Sequence, residues 1–285
     1  MPLILAHRGA SGVRPENTMP AFLEAVNQHA DGIELDIQLT KDGRIVVCHD
    51  EKINRTSNGK GYVKDYTLEE LKKFSFDNGM RAYAGVKIPE IDEVLELLKD
   101  NDMILNIELK TNKFFYGGIE DRIVASVERY NMTDRVIYSS FNHYTILRIK
   151  ELSADARTAF LVSDGFIDMP GYSYKHGVEA IHPSKDILKY PDFLDNCDKY
   201  GVKVNVWTIN SPADIKCAFE NGVNAIITNY PDRARSIMND EPAEVLRPKK
   251  KKAAIFRFID FIKPKHPKAL RVKEKKKGKD KITAD

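Results

Sequence analysis

GIELDIQLTKDGRIVVCHD, residues 32–50, holds the two runs from which the fold can be read. GIELDIQL at 32–39 alternates apolar and polar side chains, the period of two that a strand imposes. RIVVCH at 44–49 is a second β-rich run. Working outward, LILAH lies upstream at 3–7. Downstream come MILNIEL at 103–109, RVIYSS at 135–140, ARTAFLV at 156–162, VEAIHP at 178–183, VKVNVWTI at 202–209 and VNAIITN at 223–229. Between most of these runs lie stretches with helical spacing, such as TMPAFLEAVNQHA at 18–30, IDEVLELLKD at 91–100 and PADIKCAFENG at 212–222. Strands that alternate with helices imply parallel βαβ units. About eight such units fit a (β/α)8 TIM barrel better than a doubly wound sheet.

Residues 51–88 break the alternation: they are polar, glycine-containing and irregular. Only TLEELKKF at 67–74 reads as a helix, with Thr67 as N-cap and Glu70 completing a capping box. The interruption is too long for an ordinary connection. It is read as an insertion or small cap at the barrel mouth.

Charge divides the chain a second time. Residues 247–285 carry 16 Lys and Arg against 4 Asp and Glu, whereas the first 246 residues hold 29 basic and 38 acidic side chains. An acidic barrel over 1–246 is therefore expected to be followed by a basic tail over 247–285. Cys48, Cys197 and Cys217 are odd in number and form no CxxC, so neither a disulfide framework nor a thiolate zinc site is indicated. The apolar start MPLILAH is too short for a signal peptide, and no run approaches the ~20 apolar residues of a membrane span. These features place the chain in the cytoplasm. The tail lacks a recognisable nucleic-acid-binding module, so no nucleic-acid partner is expected.

In a (β/α)8 barrel, chemistry sits at the C-terminal ends of the strands. Glu34 and Asp36 are two apart on one strand, so both carboxylates project from the same face of an otherwise apolar segment. Glu108 repeats the situation on another strand, and Lys110 shares its face. Three carboxylates on two strands form a hard-oxygen set suited to Mg²⁺ or Ca²⁺. The alternative is a structural cluster in which they pair with Arg8 and Lys110. His7 and His49 also close β-rich runs, where a pair of histidines suits general acid–base work on a phosphate ester; each alone could equally be structural. Arg8 offers a planar fork for phosphate oxygens. His182 ends a strand too, and is read as structural rather than substrate-binding. Trp207 is read either as barrel core or as an apolar wall able to hold a choline-like head group by cation–π contact.

Together these residues resemble a known family. HRGASGVRPENTMPAFLEAV at 7–26, GIELDIQLTKDGRIVVCHD at 32–50, RTSNGKG at 55–61, IPEIDEVLELL at 88–98, NIELK at 106–110, VNVWTIN at 204–210 and IITNYPD at 226–232 are similar, in order, to glycerophosphodiester phosphodiesterase motifs. The resemblance spans about residues 3–235 and implies a (β/α)8 TIM barrel with a small subdomain inserted after the second barrel strand, in agreement with the interruption at 51–88. It implies metal-dependent hydrolysis of a small-molecule glycerophosphodiester to sn-glycerol 3-phosphate and an alcohol. On this reading Glu34, Asp36 and Glu108 hold the divalent metal and His7 and His49 are the catalytic acid and base. Arg8 contacts phosphate, and Lys110, Trp207 and Asn17 match family positions of less defined role.

Two other readings compete. A phospholipase D-like or lysophospholipase D-like enzyme would need an apolar rim, which Phe74, Phe76, Phe114, Phe115 and Tyr116 could supply. A non-catalytic phosphate-binding module would not need the histidines and carboxylates together. In the tail, KKKK at 249–252 precedes AAIFRFIDFI at 253–262, whose only polar members, Arg257 and Asp260, share one face of a helix. Such a segment can rest on an anionic membrane surface, placing the enzyme peripherally on the inner face. The alternative is a docked helix followed by a solvated charge run.

Overall fold

The structure, a computed structural model, describes residues 1–239. The proposed tail at 247–285, with its apolar segment and its boundary at 246, lies outside the described residues. The elements run β1 (Leu3–His7), α1 (Met19–Asn27), β2 (Gly32–Leu39), β3 (Ile45–Val47), α2 (Leu68–Leu71), α3 (Ile91–Leu98), β4 (Ile104–Leu109), α4 (Ile119–Arg129) and β5 (Val136–Ser140). They continue α5 (His143–Leu152), β6 (Arg157–Val162), α6 (Met169–Lys175), β7 (Ala180–Pro183), α7 (Phe193–Tyr200), β8 (Lys203–Val206), α8 (Pro212–Glu220), β9 (Ala225–Thr228) and α9 (Pro231–Met238).

Eight of the strands form a closed parallel barrel, because β1 pairs with both β2 and β9. The chain is a (β/α)8 TIM barrel. The period of two sorts each strand into an outer and an inner face. Ile33, Leu35 and Ile37 of β2 and Leu105, Ile107 and Leu109 of β4 pack into a core that also holds Phe22 of α1 and Val94 and Leu95 of α3. A second cluster serves the later strands, through Ile181, Val204, Val206 and Ile226 with Ile215 of α8. The other face of β2 carries Glu34 and Asp36.

The run at 44–49 differs from a barrel strand. Ile45–Val47 pairs antiparallel with β2, with Val47 opposite Ile37, so the chain turns back along the barrel wall. Residues 51–88 then gather Ile53, Val63, Leu71, Phe76 and Ile88 with Val46 and Cys48 into a core of their own. Thr67 and Glu70 form the expected capping box, although the helix they start ends at Leu71.

Between β1 and α1 the chain makes a tight loop. Arg8 and Asn17 both adopt positive φ near 55°. Gly9 has φ 78°, and a Cβ there would lie 2.6 Å from the Ala21 backbone. A side chain at this position meets conformational strain and collision together. Gly9→Ala is therefore expected to lower stability by at least about 2 kcal/mol, measured as a lower urea midpoint at unchanged m. An unchanged midpoint would show that the loop relaxes freely.

Candidate active site

Strand register brings the acidic residues together. Asp36 of β2 lies directly opposite Glu108 of β4, and Glu34 sits two residues back on the same face. Oxygens from Glu34, Asp36 and Glu108 all lie within 4.8 Å of one another, and all three residues are buried. Two cations offset part of this charge. Lys110 Nζ donates to Glu108 Oε1 at 2.7 Å and lies 3.9 Å from Asp36 Oδ1. Arg8 Nε is 3.4 Å from Asp36 Oδ2, which also accepts from Asn17 Nδ2 at 2.8 Å. The Arg8 backbone N–H donates to Glu34 Oε2 at 2.9 Å. Asp36 Oδ1 is buried without a hydrogen-bond partner. The salt-bridge cluster and the hard-oxygen set are thus the same residues. Two cations do not neutralise three carboxylates, and Asp36 Oδ1, which no hydrogen bond occupies, can serve a divalent ion as a ligand. The donor set fits such an ion.

The crowding is visible in proton affinities. Burial and the neighbouring Asp36 and Glu108 push Glu34 well above the usual carboxylate range. Burial raises Glu108 as well, against the pull of Lys110. Asp36 goes the other way: burial opposes its ionisation, but His49, Arg8 and Lys110 hold it below its ordinary value. Lys110 is raised despite burial by Glu108 and Asp36, and so stays charged.

His7 closes β1 beside Glu34, its Nε2 3.9 Å from Glu34 Oε2. Its Nδ1 lies 2.7 Å from Asn229 Oδ1, just past β9. Burial, then the adjacent Arg8, lowers its pKa to about 4. His49 arrives by another route. It follows the antiparallel β3, which returns it to the level of Asp36. Cys48 N–H donates to Asp36 O at 2.9 Å, and Gln38 Nε2 donates to the carbonyls of Cys48 and Asp50 at 2.9 and 2.8 Å. His49 Nδ1 lies 2.7 Å from Asp50 Oδ1.

One cavity of about 170 Å³ joins these groups. His7, Arg8, Glu34, His49, Asn106 and Glu108 form its polar side, and Phe141, Leu161, Trp207 and Ile227 its apolar side. Trp207 meets Phe141 edge to face at 5.7 Å, and its Nε1–H donates to the His182 carbonyl at 2.8 Å. It is wall and packing residue at once. Lys110 stands behind Glu108 and is not on the cavity surface. His182 is fully buried within the barrel against Asn205 Nδ2 at 2.8 Å, and burial lowers its pKa to about 3. Of the aromatic residues considered for a rim, Phe76 is buried and Phe74 packs on the inserted core, whereas Phe115 is exposed.

Several members of the site are absent from the sequence reading. Asn229, Glu16, Asp50 and Arg55 carry no role there. The signals for them were local: Asn229 ends β9, and Asp50 follows His49 directly. Arg55 opens the RTSNGKG stretch at 55–61, whose spacing alone assigns it no partner. It acts across 39 residues, through its contacts with Glu16.

The sequence profile of the glycerophosphoryl diester phosphodiesterase family matches residues 7–233. The chain belongs to this family. It is 41% identical over 233 residues to a glycerophosphodiester phosphodiesterase of Caldanaerobacter subterraneus subsp. tengcongensis, covering 81% of this chain and 95% of the relative. It is 40% identical over 245 residues to another from Bacillus altitudinis, covering 84% and 99%. The solved structure of an Oleispira antarctica phosphodiesterase in complex with the product sn-glycerol-3-phosphate superposes with a TM-score of 0.76 at 28% identity, covering 84% of this chain and 97% of that one. The protein is thus a phosphoric diester hydrolase acting on glycerophosphodiesters, with a small-molecule substrate. None of the described helices is long and apolar enough to cross a membrane.

The raised glutamates set a pH dependence for the metal-free protein. Glu34 and Glu108 bind protons in the folded chain that they have already released in the unfolded one. Their contribution to stability is complete below the ordinary value of 4.5 and is lost as pH rises through the folded values. Asp36 has the opposite sign, but its window lies below 3.8. Urea unfolding of metal-free protein should therefore show stability falling from about pH 4.5 toward neutrality, with Glu34→Gln flattening the fall. Parallel profiles for the two proteins would show that Glu34 is not crowded.

Proposed function

We propose that hydrolysis is metal-dependent and runs by histidine acid–base catalysis. The observation that carries this is a cluster of three buried carboxylates, two of which, Glu34 and Glu108, line one cavity with Arg8, His7 and His49. Glu34, Asp36 and Glu108 would hold a divalent ion, Mg²⁺ or Ca²⁺, which when bound supplies Lewis-acid polarisation of the phosphoryl group. Arg8 presents its fork to the phosphate oxygens, and Lys110 balances the charge on Glu108 and Asp36 from behind.

The hydrogen bonds favour a division of labour between the histidines. With Nδ1–H donating to Asn229 Oδ1, His7 keeps a lone pair on Nε2, and its low pKa keeps it neutral. It is the base that takes the proton from the attacking hydroxyl, whether water or the glycerol 2-hydroxyl. His49 has the Asp50 carboxylate on Nδ1, which fixes the ring and leaves Nε2 as the nitrogen free for substrate. It is the acid that protonates the leaving alkoxide as the P–O bond breaks. Phe141, Leu161, Trp207 and Ile227 wall the opposite side, with Trp207 available to a cationic head group.

A lysophospholipid is a second substrate reading. Phe115, Tyr144 and Ile167 are 80%, 83% and 96% exposed; Phe115 and Ile167 lie on the loops after β4 and β6, and Tyr144 in the first turn of α5 after β5, at the catalytic end of the barrel. The tail sequence supports a surface partner: a short apolar segment among lysines is suited to an anionic membrane. Free Cys48, Cys197 and Cys217 suit a reducing cytoplasm.

Chelation should abolish release of glycerol 3-phosphate from glycerophosphocholine, and Mg²⁺ or Ca²⁺ should restore it. His7→Ala and His49→Ala should each lower kcat by at least about 10²-fold while the fold survives. Full turnover by metal-stripped protein, or near-normal kcat in either variant, would contradict the corresponding role. Vesicle co-sedimentation tests the tail. Full-length protein should pellet with anionic vesicles at low salt and a chain ending at Leu246 should not; equal pelleting would remove the surface role.

A further inference from the structure

Arg55 belongs to the inserted segment, yet its guanidinium grips two carboxylates from different parts of the site. Nε and Nη2 donate to Asp50 Oδ2 and Oδ1 at 2.8 and 3.0 Å. Nη1 and Nη2 donate to Glu16 Oε2 and Oε1 at 2.7 and 2.8 Å. Each carboxylate has a second client. Asp50 Oδ1 holds His49 Nδ1 at 2.7 Å, and Glu16 Oε1 accepts from Arg8 Nη1 at 2.8 Å. One continuous chain therefore runs His49–Asp50–Arg55–Glu16–Arg8 over the mouth of the barrel.

We infer that Arg55 is a positioning residue, which fixes the His49–Asp50 pair relative to the phosphate-facing Arg8. The inference rests on the acid role of His49 given above. Arg8 has other anchors, in its backbone N–H to Glu34 and its contact with Asp36. The Asp50 carboxylate has none: besides His49, its side-chain oxygens meet Arg55 alone among the described residues. Without Arg55, two carboxylates that now share one cation would face each other unscreened. Asp50 would swing away, and the His49 ring would lose its orientation. Arg55 is the largest influence holding Asp50 down to a pKa of about 2, consistent with an ionised acceptor at every working pH. A lysine cannot replace this geometry, since an ammonium is a point charge and the two carboxylates need a two-edged fork.

The consequence falls on protonation of the leaving group. Loss of a supporting contact of this kind costs about 10- to 100-fold. Arg55→Met in the full chain with Mg²⁺ should lower kcat on glycerophosphocholine by that factor, with KM within about three-fold of wild type. The p-nitrophenyl ester of glycerol 3-phosphate leaves as a stabilised phenolate needing no proton, and should lose less than about three-fold. Arg55→Lys should stay close to Arg55→Met on both esters. Asp50→Asn/Arg55→Met should be no slower than Asp50→Asn alone, because the two act through one path. Equal losses on the two esters, with a lower urea midpoint, would make Arg55 a structural residue and overturn the inference. Unchanged kcat on glycerophosphocholine, or full rescue by lysine, would overturn it too. The His49→Ala control separates the two claims. If that variant keeps its kcat, the acid role itself fails; if it loses activity while Arg55→Met does not, only the positioning role fails.

Discussion

Three carboxylates share a buried pocket at the mouth of the barrel, and much of the surrounding architecture answers to that charge. In a medium that solvates charge poorly, such a cluster costs several kcal/mol per ion unless opposite charge is supplied. Arg8 and Lys110 supply part of it from β1 and β4. Asn17 and the Arg8 backbone add hydrogen bonds, which is why the loop between β1 and α1 tolerates positive φ at both residues. In the proposed mechanism a divalent ion would complete the balance. The same arrangement would then serve catalysis, since a site that is electrostatically incomplete without a cation is prepared to receive cation and phosphate together.

Much of this architecture was legible in the chain because strand periodicity carries it. GIELDIQL is a strand in its entirety, and its alternation places Glu34 and Asp36 on the inner face. Matching Asp36 to Glu108 needs only that the two strands be neighbours in register, and NIELK supplies the second carboxylate at the right step. What periodicity could not show was direction. RIVVCH has the composition of any barrel strand, and only its antiparallel pairing with β2 reveals that it belongs to the insertion. The partners of the histidines were hidden for a related reason. Asn229 joins His7 from the far end of the chain only because β1 and β9 close the barrel. Aromatic residues of rim and core look alike in sequence: Phe76 fills the inserted core, whereas Phe115 is exposed.

The antiparallel return of β3 is what gives the site its second histidine. A parallel strand would carry its C-terminal residue to the barrel rim at a separate point of the circumference. Turning back along β2 instead delivers His49 to the level of Asp36, where Gln38 fixes the backbone on either side of it. The two histidines therefore approach the cavity from different supports, His7 from the barrel wall and His49 from the root of the insertion. Their chemistry differs accordingly. Deep burial beside a guanidinium keeps His7 neutral, with Asn229 on its Nδ1, whereas the His49 Nδ1 meets the Asp50 carboxylate. In the proposed reaction that difference in surroundings separates the base from the acid.

The insertion also explains why the site needs more than a barrel. Its small core of Ile53, Val63, Leu71, Phe76 and Ile88 is separate from the barrel's cores, so it can hold its own shape. Yet at its root a single guanidinium, that of Arg55, makes four charge-assisted hydrogen bonds, two to Asp50 and two to Glu16 on the β1–α1 loop. An exposed ion pair adds little to stability because water screens it and side-chain entropy opposes it. A fork that orients two carboxylates already engaged with His49 and Arg8 has a different consequence: it converts weak surface pairing into angular precision at the reacting atoms. That precision is worth more to rate than to stability, because misplacement by about an ångström can cost on the order of 10²-fold in turnover.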